Sequence, residues 1–155
     1  MVDPGPGSVC WGDFPLLYRA EPMNAFRFTH LDHCSVVITD VKKSRHFYGE
    51  VLGLREVPAP KEFDFVALWY DLGGQYLHLL LKDRPDTISP RHFCLHVTDA
   101  RAAREHFRTL GVPVEETVKI AAADRFFVRD PDGNRIEVLQ WDRPYRPEMD
   151  GRYSA

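Results

Sequence analysis

An internal repeat constrains this chain more than any other feature. The stretch Asp130-Pro131-Asp132-Gly133-Asn134-Arg135-Ile136-Glu137-Val138-Leu139-Gln140 follows the plan of Asp71-Leu72-Gly73-Gly74-Gln75-Tyr76-Leu77-His78-Leu79-Leu80-Leu81. Each is a tight turn feeding an apolar strand that carries one polar, metal-capable side chain. Equivalent turn residues lie 59 positions apart (130 − 71, 133 − 74 and 134 − 75). The same offset relates His33 to His92, Thr39 to Thr98, Asp40 to Asp99, Tyr48 to Phe107 and His78 to Glu137. One register slips: Gly53 and Gly111 are 58 apart (111 − 53). Strands, caps and turns that recur together signal two copies of one supersecondary unit.

The unit reads β-α-β-β-β. In the first copy a β-branched run reaching from Phe28 to Thr39 is a strand. Asp40 is placed to cap a helix, its carboxylate accepting from free first-turn amides. Val41, Arg45, Tyr48 and Leu52 follow at helical spacing, and Gly53 offers the left-handed stop. Short strands are expected near Leu54–Val57, Phe63–Tyr70 and Gln75–Lys82. Residues 83–90, with Pro85 and Pro90, form a linker. The plan restarts with a strand over Arg91–Thr98, Asp99 as cap, and a helix marked by Ala103, Phe107 and Leu110 that stops at Gly111. Strands near Val112–Val118, Arg125–Arg129 and Asn134–Trp141 complete it. The expected architecture is α+β: two βαβββ modules, about 28–82 and 91–141, related by pseudo-twofold symmetry and forming a curved-sheet cleft within a domain spanning 28–141. Residues 1–27, rich in Gly and Pro, read as an N-terminal arm, and the polar segment 142–155, with Pro144 and Pro147, as a surface tail.

Composition narrows the function. Twenty basic and 23 acidic residues leave a net charge of −3, which supplies no basic footprint for nucleic acid or an anionic membrane. No stretch approaches the roughly 20 apolar residues of a membrane span. Three cysteines, Cys10, Cys34 and Cys94, without CxxC spacing, favour a reducing compartment, so a cytoplasmic location is expected. The partner class that remains is a small molecule.

Strand alternation sorts the polar residues onto one face. Leu77, Leu79 and Leu81 oppose His78, while Ile136 and Val138 oppose Glu137; a polar group on such a strand must find a partner. His33, His92, His78 and Glu137 occupy repeat-equivalent positions, and a pseudo-twofold would bring the pairs to face each other across the cleft. Three imidazoles and a carboxylate form a ligand set for one divalent ion such as Zn²⁺, Fe²⁺, Ni²⁺, Mn²⁺ or Co²⁺ rather than Ca²⁺ or Mg²⁺. An octahedral ion so held would keep two positions for water or substrate oxygens. His78 could equally act as a base beside the ion. His96 shares a strand face with His92 and is the candidate acid/base residue. Phe65, Trp69, Cys94, Arg125, Phe127 and Arg135 are candidates for the substrate pocket, either arginine being able to hold an anionic group; the alternative for Cys94 is a small buried filler. His30, His46 and His106 read as solvent-side.

The stretches LDHCSVVITDVKKSRHFYGEVLGL, RHFCLHVTD and FFVRDPDGNRIEVLQW resemble the vicinal oxygen chelate superfamily, which includes glyoxalase I, bleomycin-resistance proteins, fosfomycin-resistance transferases, methylmalonyl-CoA epimerase and extradiol dioxygenases. The resemblance spans roughly residues 29–141. It implies paired βαβββ modules about a metal, with ligands falling on His33, His92 and Glu137, and it implies homodimers as a common assembly. The position of His78 is glutamate in the glyoxalase pattern and glutamine in the epimerase pattern. In the dioxygenase pattern it is not a ligand. Two readings follow: a metal-dependent isomerase, lyase or ring-cleaving dioxygenase acting on a small oxygenated substrate, or a metal-free protein that sequesters a drug or metabolite.

Overall fold

The computed structural model describes residues 26, 28–62 and 66–152. The described residues before Leu31 belong to a unit of their own, in which the rings of Phe26 and Phe28 meet edge to face at 5.7 Å. Most of the arm expected at the N-terminus lies outside the described residues, as does Phe65.

From Leu31 onward the repeat becomes two sheets. Strand β1 (His33–Ile38) leads into helix α1 (Val41–Arg45), then β2 (Arg55–Glu56), β3 (Val66–Asp71) and β4 (Tyr76–Leu81), with sheet order β1-β4-β3-β2. The second copy is β5 (His92–His96), α2 (Ala100–Thr109), β6 (Glu115–Glu116), β7 (Ala123–Arg129) and β8 (Arg135–Trp141), with order β5-β8-β7-β6. In both, the first strand pairs parallel with the last and the remaining pairs are antiparallel. β2 and β6 keep only two residues each of the longer runs expected, whereas β7 begins two residues earlier than expected, at Ala123. A short helix α3 (Pro147–Asp150) stands in the segment read as an irregular tail; Pro147 at its first turn has no amide to leave unpaired.

Both caps form as expected. Asp40 accepts from the amides of Lys42 and Lys43, and Asp99 accepts from Ala102. After Arg45 the first helix widens into a π-helix over His46–Val51. This is the structural meaning of the slipped glycine register. The first copy holds one residue more between cap and stop, and a π-turn absorbs a single-residue insertion while keeping Phe47, Tyr48 and Val51 in the core. Gly53 and Gly111 then take φ +68° and +71°, the left-handed stop that favours glycine.

One hydrophobic cluster serves both modules. Ile38, Tyr48, Tyr70, Leu77 and Leu79 from the first join Phe107, Phe126, Val128, Ile136 and Val138 from the second. His106, expected at the solvent side, donates from Nε2 to the Val51 carbonyl at 2.7 Å and ties α2 to the π-helix. The tightest link is the second turn. Asp130 accepts from the Tyr48 hydroxyl (2.8 Å) and from the Asn134 side-chain amide (2.8 Å), with the backbone amides of Asp132 and Asn134 on its other oxygen. Asn134 Nδ2 also donates to Val37 O on the free edge of β1, and Asp132 accepts from Thr39. Burial raises the Asp130 carboxyl, and those donors oppose the shift. The Tyr48 hydroxyl is pushed well above its usual range by burial and then by the Asp130 charge.

On the helix side of the second sheet, Arg104 donates to both Asp124 oxygens (2.7 and 2.9 Å) and to Glu116 (2.9 Å), and lies 4.6 Å over the Phe126 ring. The hydrogen bond from Arg104 holds the Asp124 carboxyl below its usual range. A depressed folded pKa contributes stability above the unfolded value of about 4, lost as pH falls through the folded one. Asp124 is 38% exposed, which screens the pair. Arg104→Gln is therefore expected to cost about 1 kcal/mol at pH 7 in urea unfolding. That difference should shrink as pH drops below about 4, leaving the pH-independent stacking part. A cost that stays constant between pH 7 and 3 would show that the ion pair contributes nothing.

No helix among the described residues is long and apolar enough to cross a membrane.

Candidate functional site

Each sheet turns one face to the shared core and leaves the other open. On β1, Cys34, Val36 and Ile38 pack inward, so His33 and Ser35 fall on the open face. On β5, Phe93 and Leu95 pack inward and His92, Cys94 and His96 are exposed. The register sets Ser35 opposite His78 and Cys94 opposite Glu137. All four candidate ligands thus lie on the faces turned from the core, as alternation requires, His33 and His92 exposed and His78 and Glu137 buried there at 7% exposure each.

They are drawn together in pairs. The His33 and His78 rings stack with centroids 4.3 Å apart. In the second module, His92 Nε2 lies 3.0 Å from Glu137 Oε2. Among the described residues of one chain, no three His, Cys, Asp or Glu groups meet in an arrangement able to hold an ion. The two pairs stand apart, one in each module.

The outer contacts prepare both histidines. His33 Nδ1 is 2.8 Å from Asp32 Oδ1, and His92 Nδ1 is 2.9 Å from the Pro90 carbonyl. A ring that donates from Nδ1 presents the lone pair of Nε2, the form that binds metals. For His92 that lone pair then faces a carboxylate oxygen at 3.0 Å. Two acceptors that close repel unless a proton or a metal cation lies between them. Bonds of about 2.1 Å meeting at a right angle separate adjacent metal ligands by about 3 Å. Nε2 of His78 is buried with no hydrogen-bond partner. Desolvation, followed by the neighbouring His33, lowers the His78 pKa and keeps the ring neutral. By donor chemistry, though not by convergence within one chain, imidazole and carboxylate groups of this kind suit a divalent transition metal.

Around Glu137 the surroundings are basic and aromatic. Arg125 Nη1 donates to its Oε1 at 2.7 Å, an ion pair that alternation alone does not reveal, because it depends on a rotamer. Arg125 and Arg135 lie 5.8 and 3.5 Å from the Phe127 ring centre, and Phe127 meets His92 edge to face at 5.1 Å. Cys94 is exposed rather than a buried filler. Crowding against the sheet raises its thiol to about 11, with the charge and hydrogen bonding of Glu137 adding to the shift, so it stays protonated near neutral pH. In the first module Trp69 lies over His78 at 3.6 Å, and Tyr76 meets Trp69 at 6.0 Å. A bulge in β3 between Val66 and Leu68 sets Trp69 opposite His78. His96 is exposed on the same face as His92, four residues along β5 and so roughly 13 Å away, and is not brought to the His92–Glu137 pair.

Comparison with known proteins agrees with this arrangement. The profile of the Glyoxalase/Bleomycin resistance protein/Dioxygenase superfamily matches residues 30–138. "Glyoxylase I 4" of Arabidopsis thaliana is 28% identical over 135 residues, covering 80% of this chain and 78% of the relative. A lactoylglutathione lyase of Pseudomonas putida is 27% identical over 161 residues, covering 79% and 90%. A crystal structure of a glyoxalase family protein from Bacillus anthracis superposes with a TM-score of 0.69 at 26% identity, covering 75% of this chain and 98% of that one. With its repeat and sheet order in place, the chain belongs to the glyoxalase/bleomycin resistance protein/dioxygenase superfamily.

Proposed function

We propose that the protein is a metal-dependent enzyme of the glyoxalase type, acting on a small oxygenated organic molecule that chelates the ion through two oxygens. The carrying observation is the His92–Glu137 pair at 3.0 Å, in which His92 Nδ1 is already committed to Pro90 and the facing Nε2 and Oε2 call for a proton or a metal cation between them, the metal being the reading taken here. His33, His92 and Glu137 are the proposed ligands, with His78 as a fourth ligand or a neutral base. Zn²⁺, Fe²⁺, Ni²⁺, Mn²⁺ and Co²⁺ all suit this set. When bound, such an ion supplies an electrophile that polarises the substrate oxygens. The chain's residues hold and orient it: Asp32 and the Pro90 carbonyl fix the imidazoles, and Arg125 fixes Glu137. Lyase or isomerase chemistry is favoured by the likeness to the lactoylglutathione lyase, and a ring-cleaving dioxygenase remains the reading if the ion is Fe²⁺. His96 would serve as acid or base only at the far end of an extended substrate.

The half-sites are proposed to complete each other across a homodimer. His33 and His78 on one chain would face His92 and Glu137 of a second, bringing to one ion the two pairs that a single chain holds apart. Mixing His33→Ala and Glu137→Ala chains tests this. Each variant alone is expected to take up no stoichiometric metal. The mixed dimer has one site with both intact halves, so a statistical mixture should recover about a quarter of the wild-type metal. Zero recovery, from chains that do exchange, rejects the shared site. Wild-type protein that takes up none of the five metals by elemental analysis rejects the enzyme reading.

A second reading is sequestration of a flat molecule without turnover, favoured by the ring surface of Trp69, Tyr76 and His78. Metal-independent ligand binding in the His92→Ala variant would select it.

A further inference from the structure

Arg135 is a guanidinium without a hydrogen-bonded partner. Its side chain is 22% exposed, its buried Nε has no acceptor, and no hydrogen bond from it is made among the described residues. The nearest carboxylate oxygen, Glu115 Oε2, is 3.8 Å away, too far for a hydrogen bond, and the other Glu115 oxygen is taken by Arg129 at 2.7 Å. Among the described residues the three guanidinium groups of Arg125, Arg129 and Arg135 share two carboxylates, Glu115 and Glu137, so positive charge is in excess here, and Arg129 also donates to the Gly133 carbonyl at 3.0 Å. The guanidinium is also held in place, 3.5 Å over Phe127. Leaving donors of a charged group unmet in a largely desolvated setting is costly unless something fills them.

The location suggests what fills them. Arg135 is the cross-strand neighbour of His92 in the β5–β8 ladder, about 4.8 Å away between strands and on the same face. Both residues, with Arg91, Asn134, Ser35 and Asp86, line a groove of about 210 Å³ between β1 and β5, from which the Arg135 guanidinium reaches back over Phe127. We propose that Arg135 is the anchor for an anionic group of the bound molecule, a carboxylate or phosphoryl group, held one strand away from the His92–Glu137 pair. A planar guanidinium matches the two oxygens of such a group, and its stacking on Phe127 limits the ordering cost. Glu115 is the competing internal anion: it lies close enough to soften the charge and too far to satisfy it. That the anion belongs to a substrate rests on the metal-enzyme reading; the anion site itself does not.

Inorganic phosphate is the probe, titrated by NMR into the full-length protein at constant ionic strength. Arg135→Gln should weaken binding at least about tenfold. Glu115→Gln should tighten it, which a purely structural role for Arg135 does not predict. Should Arg135→Gln fail to fold, Arg135→Lys and Glu115→Gln carry the test, since loss of the fork weakens binding in the first and loss of the competitor strengthens it in the second. Equal phosphate affinity in wild type and the Arg135 variants, or no binding to wild type, overturns the proposal. Metal uptake with phosphate binding indifferent to Arg135 defeats this inference alone. Arg135-dependent phosphate binding in a protein that takes up no metal defeats the enzyme reading alone.

Discussion

Asp130→Ala is expected to destabilise the fold by about 3–5 kcal/mol, measured as a shift in the urea midpoint with the slope unchanged. The carboxylate is 5% exposed and its four hydrogen-bond partners are all donors. Removing it strands the hydroxyl of Tyr48, which is fully buried, and two backbone amides of the turn. Water can reach some of these groups, which is why the cost is not four full penalties. Asparagine does not rescue it, because its amide nitrogen would face donors on one side. The repeat provides the control. Asp71 accepts from the amides two and three residues on, Gly73 and Gly74, where Asp130 takes those two and four on; it pairs with Arg55 and, among the described residues, makes no bond into the other module. Asp71→Ala should therefore cost about 1–2 kcal/mol. Tyr48→Phe, which removes from Asp130 only its bond into the first module, should cost about 1–2 kcal/mol and be non-additive with Asp130→Ala. Equal costs at Asp71 and Asp130 would mean that the turn alone matters and the clamp between modules does not.

Glu137→Gln is expected to lower affinity for a divalent metal by at least about a hundredfold, read by competition with a chromophoric chelator. The substitution keeps the shape and lets Oε1 go on accepting from Arg125, so the fold should survive, at a cost of about 1–2 kcal/mol for the lost charge. What it removes is the anionic oxygen 3.0 Å from His92 Nε2. Asp32→Ala tests the same site from outside: it releases His33 Nδ1 and should cost about 10–100-fold. Unchanged metal affinity in Glu137→Gln would remove Glu137 from the ligand set and leave its ion pair with Arg125 as a structural feature.

Much of this was readable without coordinates because it is local or periodic. The offset of 59 predicted two βαβββ units; caps at Asp40 and Asp99 depend only on amides two or three residues on, and both formed. Alternation put His33, His78, His92 and Glu137 on one face of their strands, since side chains reverse at every residue of a strand. Even the slipped glycine was visible, although its consequence, a π-helix over His46–Val51, was not. A one-residue insertion can be looped out, shift a helix end or widen a turn, and burial of Phe47, Tyr48 and Val51 selected the last.

Chain order by itself therefore determined the sheets, the two stops and the face on which the candidate ligands stand. Tertiary structure alone decided which of them meet: His33 with His78, His92 with Glu137, and not the four together within one chain. It also decided that Asp130 serves Tyr48, 82 residues away, and that Arg125 rather than solvent holds Glu137. The reason is physical. Periodicity records the direction a side chain takes from its own backbone, whereas a contact between modules depends on how two faces pack, on the volume of the residues between them and on rotamers that only the assembled core selects.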